Sequence, residues 1–333
     1  MSFPPVTVVV PTFNRPDGLK KAVSSVFAQT LTGQGGFDLI IVDNHPDGTA
    51  HEMIEALRQK CLSSIHFTAV NEPRAGVANA RNAAMTRVRT DLVAFLDDDM
   101  TAPADWLEQI LKAHEAHPAP VVFGPVITAL PDGVSKHRAY FKAFFARDPR
   151  HSTGLIEESY GCGNSLIDFS KVPGTAPWFD ETMNEIGGED DRLFQRIREA
   201  GLSFAWAADA PVNEHPLPNR IHLSYTMRRA FSYGQAPITL ARLSSKRQYG
   251  TILKWMAIGA GKTFLHGFAW LALFIARHPK RAFQLDKAIR GLSKVLWFLD
   301  FKFYGSSSLK NSTPNVSLYT PRPKSTSAKV DEA

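Results

Sequence analysis

Residues Asp91-Leu92-Val93-Ala94-Phe95-Leu96-Asp97-Asp98-Asp99 join an apolar run of strand length to three consecutive carboxylates. A segment that seeks burial thus ends in groups that seek water, and few folds accommodate both. An open α/β sheet does, because its crevice lies outside the carboxyl ends of the central strands. In an extended chain side chains alternate, so Asp97 and Asp99 are expected to face one way and Asp98 the other. Like charges so placed raise each other's pKa unless a cation sits between them. A hard divalent ion, Mg²⁺ or Mn²⁺, is the natural partner, and such ions usually carry phosphate. The plainer alternative is that the acids open a loop and cap the helix expected at Pro103.

The rest of the chain supports an α/β reading. Val6-Thr7-Val8-Val9-Val10 reads as a strand buried on both faces. After the turn Pro11-Thr12-Phe13-Asn14-Arg15, a helix opens at Pro16, with Leu19, Ala22, Val23, Val26 and Phe27 forming one apolar stripe. Leu39–Val42 is the next strand and stops at Asp43. This strand–helix–strand unit lacks Gly-x-Gly-x-x-Gly, which argues against a dinucleotide fold. A helix near 50–61, a strand near 65–70 and a helix over 77–87 follow. Arg74 precedes that last helix and Arg81 lies within it, positions that suit a diphosphate, although each could be a solvated surface charge.

Beyond the acids, Trp106, Leu107, Ile110 and Leu111 form a helical core face, and Val121–Gly124 starts another strand. Residues 131–158 read as irregular, and as part of an acceptor site, since loops over a sheet rim carry specificity. Gly161 and Gly163 permit close backbone approach to a ligand or make a simple bulge. Gly163, Asn164 and Trp178 are the expected sugar or acceptor contacts. Gly187-Gly188-Glu189-Asp190-Asp191 opens a helix with Leu193, Phe194, Ile197 and Ala200 on one face and Gly201 as its stop. Acids there favour the helix dipole, but three behind two glycines exceed what capping requires, and one is well placed as a general base.

Six stretches in order resemble the family 2 glycosyltransferases of GT-A fold: Val8–Arg15, Ile41-Val42-Asp43, Gly76 with Ala80-Arg81-Asn82, Phe95–Asp99, Gly161–Asn164 and Gly188–Asp191. The resemblance implies a mixed central sheet flanked by helices and a nucleotide-sugar donor. It implies that Pro11, Thr12, Phe13, Asn14, Arg15 and Asp43 hold base and ribose, with Arg74, Arg81, Asp97 and Asp98 also on the nucleotide. Asp99 is then the direct ligand of a divalent metal (Mn²⁺ or Mg²⁺), with Asp97 beside it and His215 completing the shell. The Glu189–Asp190 pair supplies the catalytic base, register pointing to Asp190. An inverting transfer from a nucleotide-sugar to a lipid-linked or surface-polysaccharide hydroxyl is expected, with UDP the preferred donor nucleotide and the guanosine and thymidine forms open. The Gln-x-x-Arg-Trp of processive synthases is missing, with Tyr225-Thr226-Met227-Arg228-Arg229 in its region, so single addition is expected. The competing readings are a non-catalytic membrane adaptor and a sugar-phosphate nucleotidyltransferase. The intact acids oppose the first, and the lack of a glycine-rich phosphate loop after the first strand opposes the second.

The net charge of +6 conceals a division: from Pro216 onward there are 19 Lys and Arg against 4 Asp and Glu, a net +15, leaving −9 for residues 1–215. Such an end seeks an anionic surface, and without a recognition motif nucleic acid is not expected. Trp255–Ala276 has the length of a membrane span but contains Lys262 and His266. Ala288–Phe303 reads as a second, amphipathic helix. Both are expected to lie on the cytoplasmic face of the inner membrane, with one span over 255–276 or a purely soluble packing helix as the alternatives. Two cysteines make no disulfide framework and point to a reducing compartment, and the start lacks a signal-peptide pattern. The expected division is therefore a catalytic domain over 1–235, a membrane-associating extension over 236–304 and a disordered tail over 305–333.

Overall fold

A computed structural model describes residues 3–33, 35–184, 187–243 and 248–299. The expected disordered tail and the end of the second amphipathic segment, 300–303, lie outside the described residues. The elements in order are β1 (Val6–Thr12), α1 (Pro16–Phe27), β2 (Phe37–Asp43), α2 (His51–Arg58), β3 (Ile65–Asn71), α3 (Val77–Met85), β4 (Leu92–Phe95), β5 (Met100–Thr101), α4 (Trp106–Ala116), β6 (Val121–Phe123), β7 (Val126–Thr128), α5 (Arg138–Phe145), β8 (Gly154–Ile156), β9 (Ser165–Asp168), α6 (Glu189–Glu199), β10 (Phe204–Trp206), β11 (Val212–Glu214), α7 (Leu223–Leu243), α8 (Tyr249–Ile275) and α9 (Arg281–Val295).

Eight strands form one sheet in the order β3-β2-β1-β4-β9-β6-β10-β8. The first four are parallel, while β9 runs antiparallel between β4 and β6, so the sheet is mixed. Alternation places Val8, Val10, Leu39, Ile41, Ala94 and Leu96 in one core layer with α1 and α4. Val9, Ile40, Val42, Val93 and Phe95 enter the other layer with α3 and α6. Burial on both faces is why these strands read as unbroken apolar runs rather than alternating ones. A smaller sheet, β5-β11-β7, stands beside the rim and joins Met100 to Glu214 in register.

Four expectations need correction. β4 ends at Phe95, and the acids lie in a turn closed by Met100 N–H donating to Asp97 O at 3.0 Å, so strand alternation does not govern them. The segment 131–158 is not wholly irregular, for α5 buries Tyr140, Phe141 and Phe145 against Ile221 and Ala282. The second basic helix begins at Arg281 rather than Ala288, and its buried residues are Ala282, Ala288, Gly291, Ser293 and Lys294 rather than the leucine stripe. Finally, α7 runs unbroken through 235, so the domain boundary expected there falls within a helix.

The C-terminal helices meet through glycines. A Cβ on Gly259 of α8 would lie 2.7 Å from Gly291 O of α9, and one on Gly234 of α7 would overlap Ser293 Oγ. His266 Nδ1 meets Gln284 Oε1 at 2.8 Å further along the same seam. α8 is thus packed on α9 along its length and turns its other face outward, with Leu253, Phe264, Leu265, Phe268, Phe274 and Ile275 exposed.

Candidate active site

The ends of β1 and β4 meet at the acidic turn. Thr12 Oγ1 donates to Asp98 Oδ2 at 2.7 Å, and Phe13 N–H donates to the same oxygen at 3.4 Å. Arg15 Nη1 donates to Asp98 Oδ1 and Asp99 Oδ2, both at 2.8 Å. The turn Pro11–Arg15 is therefore welded to the triplet, with Asn14 in the left-handed region at φ 52°. Gly18 lets α1 approach, since a Cβ there would lie 2.6 Å from Asp98 O. Burial pushes the Asp98 carboxyl up to about 6 against the pull of Arg15.

Asp43, at the end of β2, accepts from Ala50 N–H at 2.7 Å and His45 N–H at 3.1 Å, ordering the loop before α2. That loop sets His45 beside Phe13, ring centroids 5.1 Å apart. Asn44 holds the next rim segment, donating to Glu72 O and Arg74 O and accepting from Gly76 N–H. Arg74 is exposed and bound in a fork to Glu72.

Arg81 is no surface charge. It is buried, with Nη1 on Glu189 Oε1 and Nη2 3.7 Å from Asp97 Oδ1, and its guanidinium lies near the Phe95 and Phe179 rings. Burial and the neighbouring Asp190 push the Glu189 carboxyl up to about 7 despite that arginine. Asp190, the next residue of α6, is half-buried. Its Oδ2 accepts from Cys162 N–H and its Oδ1 from Asp191 N–H, both at 2.9 Å.

The loop before β9 touches both acid groups. A Cβ on Gly163 would overlap Asp97 Oδ2, and one on Gly161 would lie 3.6 Å from Asp190 Oδ2. At Gly163 the Asp97 carboxylate leaves no room for a side chain, whereas at Gly161 the tightest neighbour is Arg147 Nη1, 3.0 Å from where a Cβ would lie. Their neighbour Asn164 corrects an expectation: it is fully buried, and its amide is consumed within the fold. Trp106 Nε1–H donates to Asn164 Oδ1 at 2.7 Å, while Asn164 Nδ2 donates to Pro125 O and Ala210 O. Asn164 therefore ties α4 to the segments that follow β6 and β10 and has no amide atom left over for a ligand, and Trp106 is more than core. Trp178 is also displaced from the rim. It packs on Phe169, whose N–H donates to Asp91 O at the other end of β4.

The small sheet brings His215 to the acids, its N–H donating to Asp99 O at 2.7 Å and its Nε2 lying 2.9 Å from Thr101 Oγ1. Carboxylate oxygens and an imidazole are donors that fit Mg²⁺ or Mn²⁺. Among the described residues, however, no three His, Cys, Asp or Glu side chains converge on one point. Asp99 Oδ2 is instead held by Arg15 and, at 3.4 Å, by Arg220. The donor types therefore fit a divalent ion, with Arg15 competing for the same oxygen. Arg220, Arg147, His45 and Glu214 are site residues that sequence reasoning missed. Burial and the charge of Asp99 push the Glu214 carboxyl up to about 8.

Comparison with known proteins agrees with this architecture. The model of the family described as "Glycosyl transferase family 2" matches residues 7–172. The succinoglycan biosynthesis protein ExoM of Rhizobium meliloti is 26% identical over 320 residues, covering 92% of this chain and 98% of that one. The pre-mycofactocin glycosyltransferase of Mycobacterium tuberculosis is 30% identical over 294 residues, covering 84% of this chain but 58% of that protein. In fold, the chain is similar to S. aureus TarS 1-349 crystallised with UDP-GlcNAc: TM-score 0.50, 14% identity, 88% of this chain and 91% of that one. With its mixed sheet, acidic turn and paired acids on α6, the chain belongs to glycosyltransferase family 2.

Proposed function

We propose that the enzyme transfers a sugar, with inversion, from a nucleoside-diphosphate donor, a UDP-sugar in the first instance, to a hydroxyl of a lipid-linked or surface-polysaccharide acceptor. The carrying observation is the single glycine loop 161–163 that contacts Asp190 on one side and Asp97 on the other. An acid able to take a proton and an acid of the nucleotide rim thus face one short wall. Of the paired acids, Glu189 is locked to Arg81, whereas Asp190 is half-exposed and held by two backbone amides. Asp190 is accordingly the base, and Glu189 a buried member of the supporting ion pair.

The donor's base and ribose lie along Pro11–Arg15 and Asp43, with the Phe13 and His45 rings as the apolar platform. Arg15, Arg74 and Arg220 supply positive charge toward the diphosphate. Asp99, Asp97 and His215 would hold Mn²⁺ or Mg²⁺, which when bound supplies neutralisation of the charge on the departing diphosphate. The acceptor hydroxyl gives its proton to Asp190 as its oxygen bonds to the anomeric carbon. The bond from that carbon to the diphosphate breaks on the opposite face, and the electron pair leaves with the phosphate. One base and no covalent intermediate give inversion. The ExoM name, a polysaccharide biosynthesis protein, and the UDP-GlcNAc bound by TarS are in keeping with this donor and acceptor class.

The same reading puts the enzyme on the cytoplasmic face of the inner membrane. Residues 249–295 carry eight Lys and Arg and one acid, Asp286. α8 alone is long and apolar enough to cross a membrane among the described residues. Its inner face is packed on α9, whose Arg281, Asp286, Lys287 and Arg290 could not accompany it into lipid without large cost. An in-plane helix with its outer face in the leaflet fits better than a span.

Asp190→Asn tests the mechanism. Nucleoside diphosphate release from donor should fall by roughly 10²-fold or more with folding intact, and NMR of the wild-type product should show the inverted anomer. A retained anomer, pyrophosphate as the released product, or an unaffected variant would each sink the reading.

A further inference from the structure

Arg147 follows α5 and belongs to neither the nucleotide rim nor the paired acids. Its backbone is fixed by a two-bond bridge: Val126 N–H donates to Arg147 O, and Arg147 N–H donates to Val126 O, both at 2.8 Å. Val126 begins β7, which pairs with β11 just before His215, so the anchor is part of the small sheet. From there the guanidinium reaches inward. Nη1 donates to Gly161 O at 2.7 Å, and Nη2 donates to Gly163 O. Nε is buried without a partner among the described residues. Asp97, Glu214 and Asp190 are its charged neighbours.

The planar fork therefore grips the two carbonyls that flank Cys162, and the N–H of Cys162 is the donor on Asp190 Oδ2. A guanidinium presents its donors in fixed directions, which an ammonium does not. A loop with two glycines has many alternative conformations close in energy. Without the fork the Cys162 amide could turn away, releasing Asp190 on that side. With it, a rigid path runs from Val126 through Arg147 and the loop to one carboxylate oxygen. The thiol of Cys162 plays no part, since it is buried and pushed up to about 12 by that burial.

We propose that Arg147 is the positioning residue for Asp190: by clamping Gly161 and Gly163 it aims the Cys162 amide and holds the carboxylate in the orientation that receives the acceptor proton. This rests on Asp190 being the base. The alternative is a clamp that serves folding only, and the two differ in what they move. A positioning role concerns the chemical step, because misplacement by about 1 Å can cost ~10²-fold in rate.

The test uses the full chain as wild type, Arg147→Ala, Arg147→Lys, Asp190→Asn and the Arg147→Ala/Asp190→Asn double variant. The probes are UDP release from UDP-glucose, UDP-galactose or UDP-GlcNAc, whichever the wild type turns over, and UDP affinity by calorimetry. Arg147→Ala is expected to lose about tenfold or more in kcat, with donor KM and UDP affinity within about twofold of wild type. Added guanidinium ion should restore part of that rate. In the Asp190→Asn background the same change should have no further effect, because the group being positioned is gone. Should Arg147→Ala not fold, Arg147→Lys carries the test, with intermediate kcat and unchanged UDP affinity expected. A wild-type kcat in either variant, or a loss that multiplies with that of Asp190→Asn, overturns the assignment. Full activity in Asp190→Asn itself would instead overturn the base reading, which keeps the two failures apart.

Discussion

Arg81 and Glu189, 108 residues apart in sequence, form an ion pair with both side chains buried, 5% and 6% exposed. Arg81 also lies 3.7 Å from Asp97, so one guanidinium ties α6 to the acidic turn. Removing one partner of such a pair leaves a bare charge in a low dielectric, which costs about 3–5 kcal/mol. Arg81→Met should therefore lower the urea midpoint strongly, whereas Arg81→Met with Glu189→Leu should recover much of it. Equal destabilisation in the single and double variants would contradict the pairing.

Gly163 carries a sharper prediction about function. A Cβ there overlaps the far end of the Asp97 side chain rather than backbone, so the carboxylate can swing aside at small cost to the fold. Gly163→Ala should keep its thermal midpoint within a few degrees while UDP binding weakens by on the order of tenfold. A large drop in the midpoint with unaltered UDP affinity would show the glycine to be purely structural.

Much of this was legible from residues alone, for reasons that differ by element. β1, β2 and β4 are β-branched or apolar runs of strand length because both sheet faces are covered, and α1 shows a 3.6-residue stripe because only one of its faces is. The acidic turn stood out because carboxylates follow a buried strand. α5 did not, being two turns long with charges among its aromatics. Asn164 and Trp178 look like ligand contacts in sequence, and only the contacts made once β9 lies between β4 and β6 show one amide to be consumed and one ring to face the far end. Arg147 and Arg220 lack a motif altogether. Their roles come from contacts over 14 to 16 and 121 residues, and no local pattern records those.

Trp106 joins the core to the site through its indole N–H on Asn164 Oδ1. Trp106→Phe keeps the ring but leaves a buried carbonyl oxygen unpaired, at a cost of about 1–3 kcal/mol. Chemical denaturation should show that loss, and an unchanged midpoint would mean that the bond contributes nothing net.

The pH dependence of stability follows from the raised carboxyls. Asp98, Glu189 and Glu214 sit at about 6, 7 and 8 in the folded chain, with burial the first cause in each. Their unfolded values are near 4, so between these limits the native state binds more protons than the unfolded state, and stability falls as pH rises. The stabilisation is fully present below the unfolded values and is lost as pH climbs through about 6 to 8. Burial holds His114, His137 and His215 below their usual value, and these oppose the carboxyls up to about pH 6.5. Thermal midpoints measured without added metal should therefore decline from about pH 7 to pH 8.5, and a midpoint that rises across that range would contradict the assignments.

The outward face of α8 makes its own prediction. Phe268 is 70% exposed and Phe264 69%. Phe264→Ser with Phe268→Ser should leave folding and UDP affinity intact while vesicle binding falls by roughly tenfold or more, since each buried aromatic contributes on the order of 2 kcal/mol. Sedimentation with phosphatidylglycerol-containing vesicles measures this, with phosphatidylcholine vesicles as the uncharged comparison. Undiminished binding in the double variant would move the membrane contact elsewhere.

The most direct measurement is calorimetric titration of UDP into the wild type and Asp99→Asn, each with and without Mn²⁺. Asp99 stands where the Pro11–Arg15 turn and His215 meet, held by Arg15 and by the His215 N–H. UDP binding that strengthens with Mn²⁺ in the wild type and loses that response in Asp99→Asn is the predicted result. Binding that is the same in all four titrations would contradict a metal-assisted diphosphate site at the acidic turn.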